Sequence, residues 1–437
     1  MTRRAYAVGI VVLALAAAGC GSTAGEDLGD EVSTGPRPTV VDRLPNLPGA
    51  IRVDDGLAAT GLARSAPVPA PVYSALVDEN GVRRAGPAVP PVGPQVPQAA
   101  GPAVPGDAPS APGNVFAHTM GPVSPALADI PVRVYVPNSD AHTLSVIDPA
   151  TMSVIVTYAT GFVPHHVTAS WDMTKLYVNN TSGNSLQVID PRTAKVVDRL
   201  DIVDPYNLYF APDGSKAIVV AERLQRLDYR DPNTWRLIKS VPIPGSGVDH
   251  LDFSADGRYL IASDEFSGHI VKVDNEKMEV AGVMHVGGLP IDVKVSPDGS
   301  VFFVANQGRH GVHIIDPESM TEIGFLPTGT GAHGLNYSRD TTRLFVSNRL
   351  GGSVSVIDVA SRTVAATWRV GGSPDMLQVS TDGTQLWYSN RFHGSVSVVD
   401  AYTGQVIKVI PTGAGAHGVA FFPQPGRFNV GHNGVYR

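Results

Sequence analysis

Seven times along the chain a short apolar run ends in a polar residue, at Asn138, Asn180, Glu222, Asp264, Asn306, Asn348 and Asn390, and every interval is 42 residues. A second column, Asp148, Asp190, Asp228, Asp274, Asp316, Asp358 and Asp400, closes another apolar run in each unit. A fixed period of this length outranks local readings, because a unit too small to bury its own apolar face must stack on its neighbours. The unit from Gly334 to Asp375 parses as four short strands, Gly334–Ser338, Arg343–Ser347, Ser353–Asp358 and Thr363–Val370, with turn or loop residues between them. Four antiparallel strands per unit make a propeller blade, and seven blades closed into a ring leave no long exposed edge. The expected fold is therefore all-β, a seven-bladed β-propeller with four-stranded blades of about 42 residues. No convincing inner strand precedes Val134, whereas Gly418–Phe422 follows the last unit without a partner. Blade one should therefore combine strands from about residues 132–160 with an innermost strand supplied by the C-terminal region.

The runs Val134-Tyr135-Val136-Pro137-Asn138, Leu176-Tyr177-Val178-Asn179-Asn180, Ser353-Val354-Ser355-Val356-Ile357-Asp358 and the turn Ser296-Pro297-Asp298-Gly299 resemble the YVTN repeat of bacterial seven-bladed β-propellers. The resemblance spans roughly Val132 to Pro423 and implies the same fold. It implies little about activity, since such propellers include surface-layer and ligand-binding proteins, and related ones serve as lactonases, lyases and parts of redox enzymes.

The N-terminal third is different in kind. Arg3 and Arg4 precede an apolar run from Ala5 to Ala18, too short to span a bilayer, so residues 1–19 read as a signal peptide. Ala17-Ala18-Gly19-Cys20 resembles a bacterial lipobox, although Ala17 stands where Leu is usual. The resemblance implies diacylation of Cys20 and anchoring to the outer face of the cell membrane. Cys20 is the single cysteine, so no intrachain disulfide and no multi-thiolate metal site can form. Between Gly21 and Pro131 lie 19 of the 36 prolines, which remove backbone donors and fix φ. Residues 20–131 are therefore expected to form a mostly disordered Pro/Ala/Gly-rich stalk, with residues 132–437 as the propeller. Part of residues 114–130 could cover the channel mouth.

The formal charge of −7 argues against nucleic acid as a partner. A monomeric propeller is expected, with the membrane reached through the lipid anchor and a small ligand or an envelope protein as the possible partner. The loops that enter the innermost strand and those that leave the second strand surround one mouth. Entry into the innermost strands reads His165, Tyr206, Asp249, Ile291, His333, Asp375 and His417, and the next position His166, Asn207, His250, Asp292, Gly334, Met376 and Gly418. Glu222 and Asp264 replace the Asn of their column, with Asp249 and Glu265 nearby, while other blades supply Arg349 and Arg391. A mouth polarised from acid to base can orient a small ligand, so Glu222, Asp249, Arg349, Asp375 and Arg391 are the candidate ligand-binding residues, unless these charges pair with one another.

Neutral imidazole is a good ligand for zinc, copper and iron, so His166, His250, His333 and His417 with Asp292 are the candidate ligands for a divalent metal or copper. His333 and His417 also fit a routine turn of the repeat. The histidine spacing of 84, 83 and 84 residues places them two blades apart around the ring, which weighs against a single ion. No Gly-x-Ser-x-Gly elbow or phosphate-cradling glycine loop occurs, and the sole cysteine lies in the lipobox. Three functions remain open: a binding scaffold with a ligand or metal at the mouth, a metal-dependent lactonase or lyase, and an envelope interaction scaffold. In the enzyme reading His250 or His333 would be the base and Glu265 or Asp264 would hold the cation. The tail after Pro423 should start on the face opposite the mouth, with Arg427 and His432 capping the channel there.

Overall fold

The computed structural model describes residues 113–437 except Asn433. The signal-like segment, Cys20 and most of the Pro-rich stretch lie outside the described residues. Seven four-stranded antiparallel sheets form the ring, and each except the first uses four consecutive strands. Blade six shows the local logic. Its strands are Ala332–Tyr337, Arg343–Asn348, Ser353–Asp358 and Thr363–Arg369, here called A to D from the axis outward. Strand C is buried almost throughout, because neighbouring blades cover both of its faces. Strand D alternates exposed and half-buried residues, since its outer side meets solvent.

The polar columns work within the blades. Asn348 Nδ2 donates to Ser353 Oγ and Ser355 Oγ at 3.0 Å each, tying the end of strand B to strand C. Asp358 Oδ1 accepts from the backbone and hydroxyl of Ser361 at 2.8 Å, closing the turn into strand D. Side-chain acceptors on strand A also staple adjacent blades. Asp252 Oδ2 accepts from Val295 N, Asp292 Oδ2 from Leu335 N and Gln378 Oε1 from Phe421 N.

The ring closes as its sequence requires. Strand A of blade one is Ala420–Phe422, which pairs antiparallel with Arg133–Asn138 through Arg133↔Phe422, Val134↔Phe421 and Tyr135↔Ala420. Val134, Tyr135, Phe421 and Phe422 are all buried there.

Residues 114–131, read from sequence as part of the stalk, pack on the propeller. Two 3₁₀ turns, Ala117–Met120 and Pro125–Leu127, bury Phe116, Leu127 and Ile130. Val115 N donates to Pro297 O at 2.7 Å, and Asn114 Nδ2 donates to Thr341 Oγ1 at 2.7 Å. Both acceptors belong to turns between strands A and B, so this segment seats on the face opposite the mouth and is no lid for it. No helix among the described residues is long and apolar enough to cross a membrane.

Candidate metal centre

Strand A is bulged where it carries the mouth residues. In blade two, Pro164 pairs with Asn180 and Val167 with Val178, so His165 and His166 together face the single residue Asn179. The same shift falls at Asp249 and His250, Ile291 and Asp292, His333 and Gly334, and Asp375 and Met376. In a regular strand consecutive side chains point to opposite faces, whereas a bulge re-aims one of them. Ser263 Oγ and Ser347 Oγ on the adjacent B strands accept from the displaced His250 N and Gly334 N, which keeps these bulges satisfied.

The bulges and the entry to the closing strand bring histidines from blades two, four and one to the axis. The His166 ring centre lies 5.1 Å from that of His250 and 4.7 Å from that of His417, although 84 or more residues separate the pairs in sequence. Sequence spacing made these residues look distant because it measures steps around the ring, whereas the innermost strands all border one narrow channel. The His165 ring lies 3.8 Å from that of His417, tilted to it, and His432 comes within 4.4 Å of His250 and 4.7 Å of His166. Two sets of three imidazoles result, His165/His166/His417 and His166/His250/His432, each with one nitrogen per ring within 4.8 Å of the others, and all buried.

His432 was expected to cap the channel, and it does more. After Phe428 the tail forms a hairpin joined at Asn429↔Tyr436, enters from the face opposite the mouth and lifts His432 into the cluster. Gly431 is required in that climb, since a Cβ there would sit 2.5 Å from the Tyr209 ring. The arginine that closes the channel is Arg437 rather than Arg427, which is exposed. Arg437 donates to Asp252 Oδ1 at 2.7 Å and to the carbonyl oxygens of Phe253 and Ser254 at 2.8 and 3.2 Å.

Electrostatics decide which rings can act as ligands. Burial pushes the His165 and His432 imidazoles well below the usual histidine range. Burial also takes His417 down to about 3, against the attraction of Asp375. These rings are neutral at pH 7, the form that offers a lone pair. His417 Nδ1 lies 2.7 Å from Asp375 Oδ2, so it carries the proton and leaves Nε2, buried and without a hydrogen-bond partner, as the donor atom. His333 differs. Its Nε2 accepts from Arg349 and its Nδ1 stands 3.0 Å from Asp375 Oδ1, so both nitrogens are engaged. Asp292, also a candidate ligand, accepts from Val293 N and Leu335 N and stands 3.4 Å from Lys294 Nζ, which makes it an inter-blade fastener 4.0 Å from His432.

The candidate ligand-binding charges are largely paired with protein groups. Arg349 Nε donates to Asp375 Oδ1 at 2.9 Å, and Asp375 is fully buried. Burial opposes its charge, but Arg349, His417 and His333 hold its carboxyl well below the usual range. Arg391 donates to Ser139 Oγ at 3.0 Å and to Gly415 O at 3.3 Å. Asp249 lies 3.0 Å from His250 Nδ1; burial opposes its charge, and His250 and Tyr206 hold its pKa down. Burial and neighbouring acids raise Glu222 and Glu265 to about 8. Both therefore carry protons at neutral pH, so the mouth is less acidic than its formal charges suggest. Burial raises Asp264 to about 6, and His269 Nδ1 stands 3.8 Å from its Oδ2.

The Glu222 shift has a measurable consequence. Below pH 4.5 the carboxyl is protonated in both states, between 4.5 and 8 only the folded chain keeps the proton, and stability falls across that window as pH rises. Asp249, Asp204, Glu265, Tyr206 and Arg223 share this environment. Glu222→Gln is therefore expected to stabilise the protein by about 1–3 kcal/mol at pH 8 and to leave it unchanged near pH 4. Urea unfolding at the two pH values checks this; equal effects at both would refute it.

A family model described as YNCE-like beta-propeller matches residues 98–426. The chain belongs to this family. A search of curated proteins finds no match. Among solved structures, the chain is similar to Kuenenia stuttgartiensis hydrazine synthase, with 20% identity, 58% of this chain and 87% of that one covered, and a TM-score of 0.51. It is also similar to dihydro-heme d1 dehydrogenase NirN in complex with DHE, at 16% identity, 70% and 77% coverage and a TM-score of 0.53. A functionally unknown protein from Desulfotomaculum acetoxidans DSM 771 aligns at 17% identity over 66% and 98% of the two chains, with a TM-score of 0.57. At these identities the likeness concerns the fold, and a role has to come from the site.

Proposed function

We propose that this propeller is a metal-binding protein of the cell exterior, anchored through Cys20, that holds a transition-metal ion on the histidines of its channel. The observation that carries the reading is the convergence of His165, His166, His250, His417 and His432 into two buried three-nitrogen sets. Burying an imidazole with an unfilled nitrogen, as at His250, His417 and His432, is costly, and a fold needs no such cluster at its axis. Nitrogen donors suit copper, zinc and nickel, whereas calcium and magnesium require oxygen. Asp375 behind His417 and Asp249 beside His250 supply the carboxylate partners that fix ring orientation in metal sites.

The test is retention. Chelator-stripped protein is loaded with Cu(II), Zn(II) or Ca(II), desalted and assayed for metal beside His250→Ala/His417→Ala. Stoichiometric copper or zinc, no calcium, and loss of at least tenfold in affinity in the double variant are expected. Absence of retained copper and zinc in the wild type would overturn the proposal. Anchoring is tested separately: Cys20→Ala should move the protein from the membrane fraction to the soluble fraction, and unchanged partitioning would refute the lipid anchor.

A further inference from the structure

We propose that the channel holds two copper ions rather than one, with His166 bridging them. One ion lies on His165, His166 and His417, the other on His166, His250 and His432. This inference rests on the metal-binding reading above and deepens it.

The argument begins with the arrangement around His166. Its ring centre lies 5.2 and 4.7 Å from those of His165 and His417, and 5.1 and 4.7 Å from those of His250 and His432. Each of these pairs is itself close, 3.8 Å for His165 and His417 and 4.4 Å for His250 and His432. The two nitrogen sets share only His166. The five imidazoles form two sets of mutually close nitrogens rather than one set of five, so a single ion is not within bonding reach of them all. An imidazole ring carries nitrogens on two sides and can bond a metal at each, which sets the ions about 6 Å apart with bonds of about 2.0–2.1 Å. His166 occupies the position such a bridge needs.

Charge and orientation fit the same assignment. Three buried carboxylates flank the sets: Asp375 at His417, Asp249 at His250 and Asp292 at His432. They place negative charge beside both positions, which offsets cations brought out of water. Ser139 Oγ stands 3.4 Å from His165 Nδ1 and orients the remaining ring of the mouth-side set. Copper is favoured over zinc because an all-nitrogen set without thiolate follows the ordinary affinity order, in which Cu(II) ranks highest.

Bridging has a proton balance. A neutral imidazole has one lone pair and one N–H, so two copper–nitrogen bonds form only when the His166 N–H proton leaves to water. Binding of the second ion should therefore release the His166 proton.

His417 and His432 each belong to one set alone, which makes the sets separable. His432 rides on the tail hairpin, whereas His417 precedes the closing strand. Copper per chain is measured after loading the stripped full chain with Cu(II) and desalting, for wild type, His432→Gln and His417→Gln, each first shown by circular dichroism to be folded. Two coppers in the wild type and one in each variant are expected. Electron paramagnetic resonance should show a full mononuclear signal at one equivalent and an integrated intensity below half of the copper content at two, because an imidazolate couples the spins. Two equivalents with all spins accounted for would overturn the bridge. One copper in the wild type, lost in either variant, would overturn the two-ion inference while the metal-binding proposal stands. Retention of neither copper nor zinc would remove both.

Discussion

A chain ended at Gly418 is expected to lose the cooperative unfolding transition of the full protein. Such a chain lacks Ala420–Phe422, the innermost strand of blade one, and leaves Arg133–Tyr135 as an unpaired edge. It also lacks Val430, Val435 and Tyr436, all buried, and the Arg437 contacts to Asp252. Removing a single buried Phe costs about 3–5 kcal/mol, and whole domains are stable by only about 5–15 kcal/mol, so loss of two Phe side chains and the tail exceeds the available stability. The milder Phe422→Ala should keep the fold at a cost of about 3–5 kcal/mol. Thermal and urea unfolding followed by tryptophan fluorescence and circular dichroism read both. A truncated chain that melts cooperatively within a few degrees of the full one would show that the ring is held by blade-to-blade packing rather than by closure.

The closing strand could be found from the sequence because a repeat exposes its own exceptions. Seven Asn-type column residues and seven strand-C aspartates counted the blades, and one inner strand was missing at the front and surplus at the back. The entry column to strand A was legible for the same reason, since every blade offers one residue there. What the repeat could not carry was harder. His432 lies outside the period, on a tail that climbs back into the channel, and only its type gave a signal. His165 stands in the same entry column, yet nothing in the strand's sequence marks the bulge that brings both it and His166 to the channel. His333 looked equivalent to His417, yet Arg349 engages its Nε2, and that partner sits just past the next strand, 16 residues later.

The histidine spacing misled for a geometric reason. Two blades per step is a large angle around a ring, but distance shrinks with radius, and near the axis blades two steps apart touch. Sequence supplies the angle and not the radius. The mouth acids show a similar limit: Glu222 and Glu265 count as two negative charges by composition, whereas burial raises both to about 8 and leaves them largely neutral. Asp249 and Asp375, by contrast, keep their charge, because His250 and Tyr206 support the first, and Arg349, His417 and His333 the second.

Asp375→Leu is expected to destabilise the protein by about 3–5 kcal/mol, because it leaves the guanidinium of Arg349 buried without its counter-charge. The Arg349 side chain is 15% exposed and Asp375 is fully buried, so water cannot replace the lost partner. His417 loses its Nδ1 acceptor in the same change and with it the fixed orientation of Nε2, so metal affinity should fall about 10- to 100-fold. The two effects separate in Arg349→Met/Asp375→Leu. Removing both charges should recover most of the stability, since an apolar pair of similar volume is tolerated where an unpaired charge is not, while the metal defect remains because His417 is still unsupported. The pH dependence carries a sign. The Asp375 pKa is lowered in the folded state, so the stabilisation it gives is complete above pH 3.8 and is lost as pH falls further towards the folded value. The deficit of Asp375→Leu relative to wild type should thus be constant from pH 5 to 8 and narrow below pH 4. A deficit under about 1 kcal/mol, or a double variant as unstable as the sum of the two single ones, would show that the pair is not the buried, coupled unit its geometry describes.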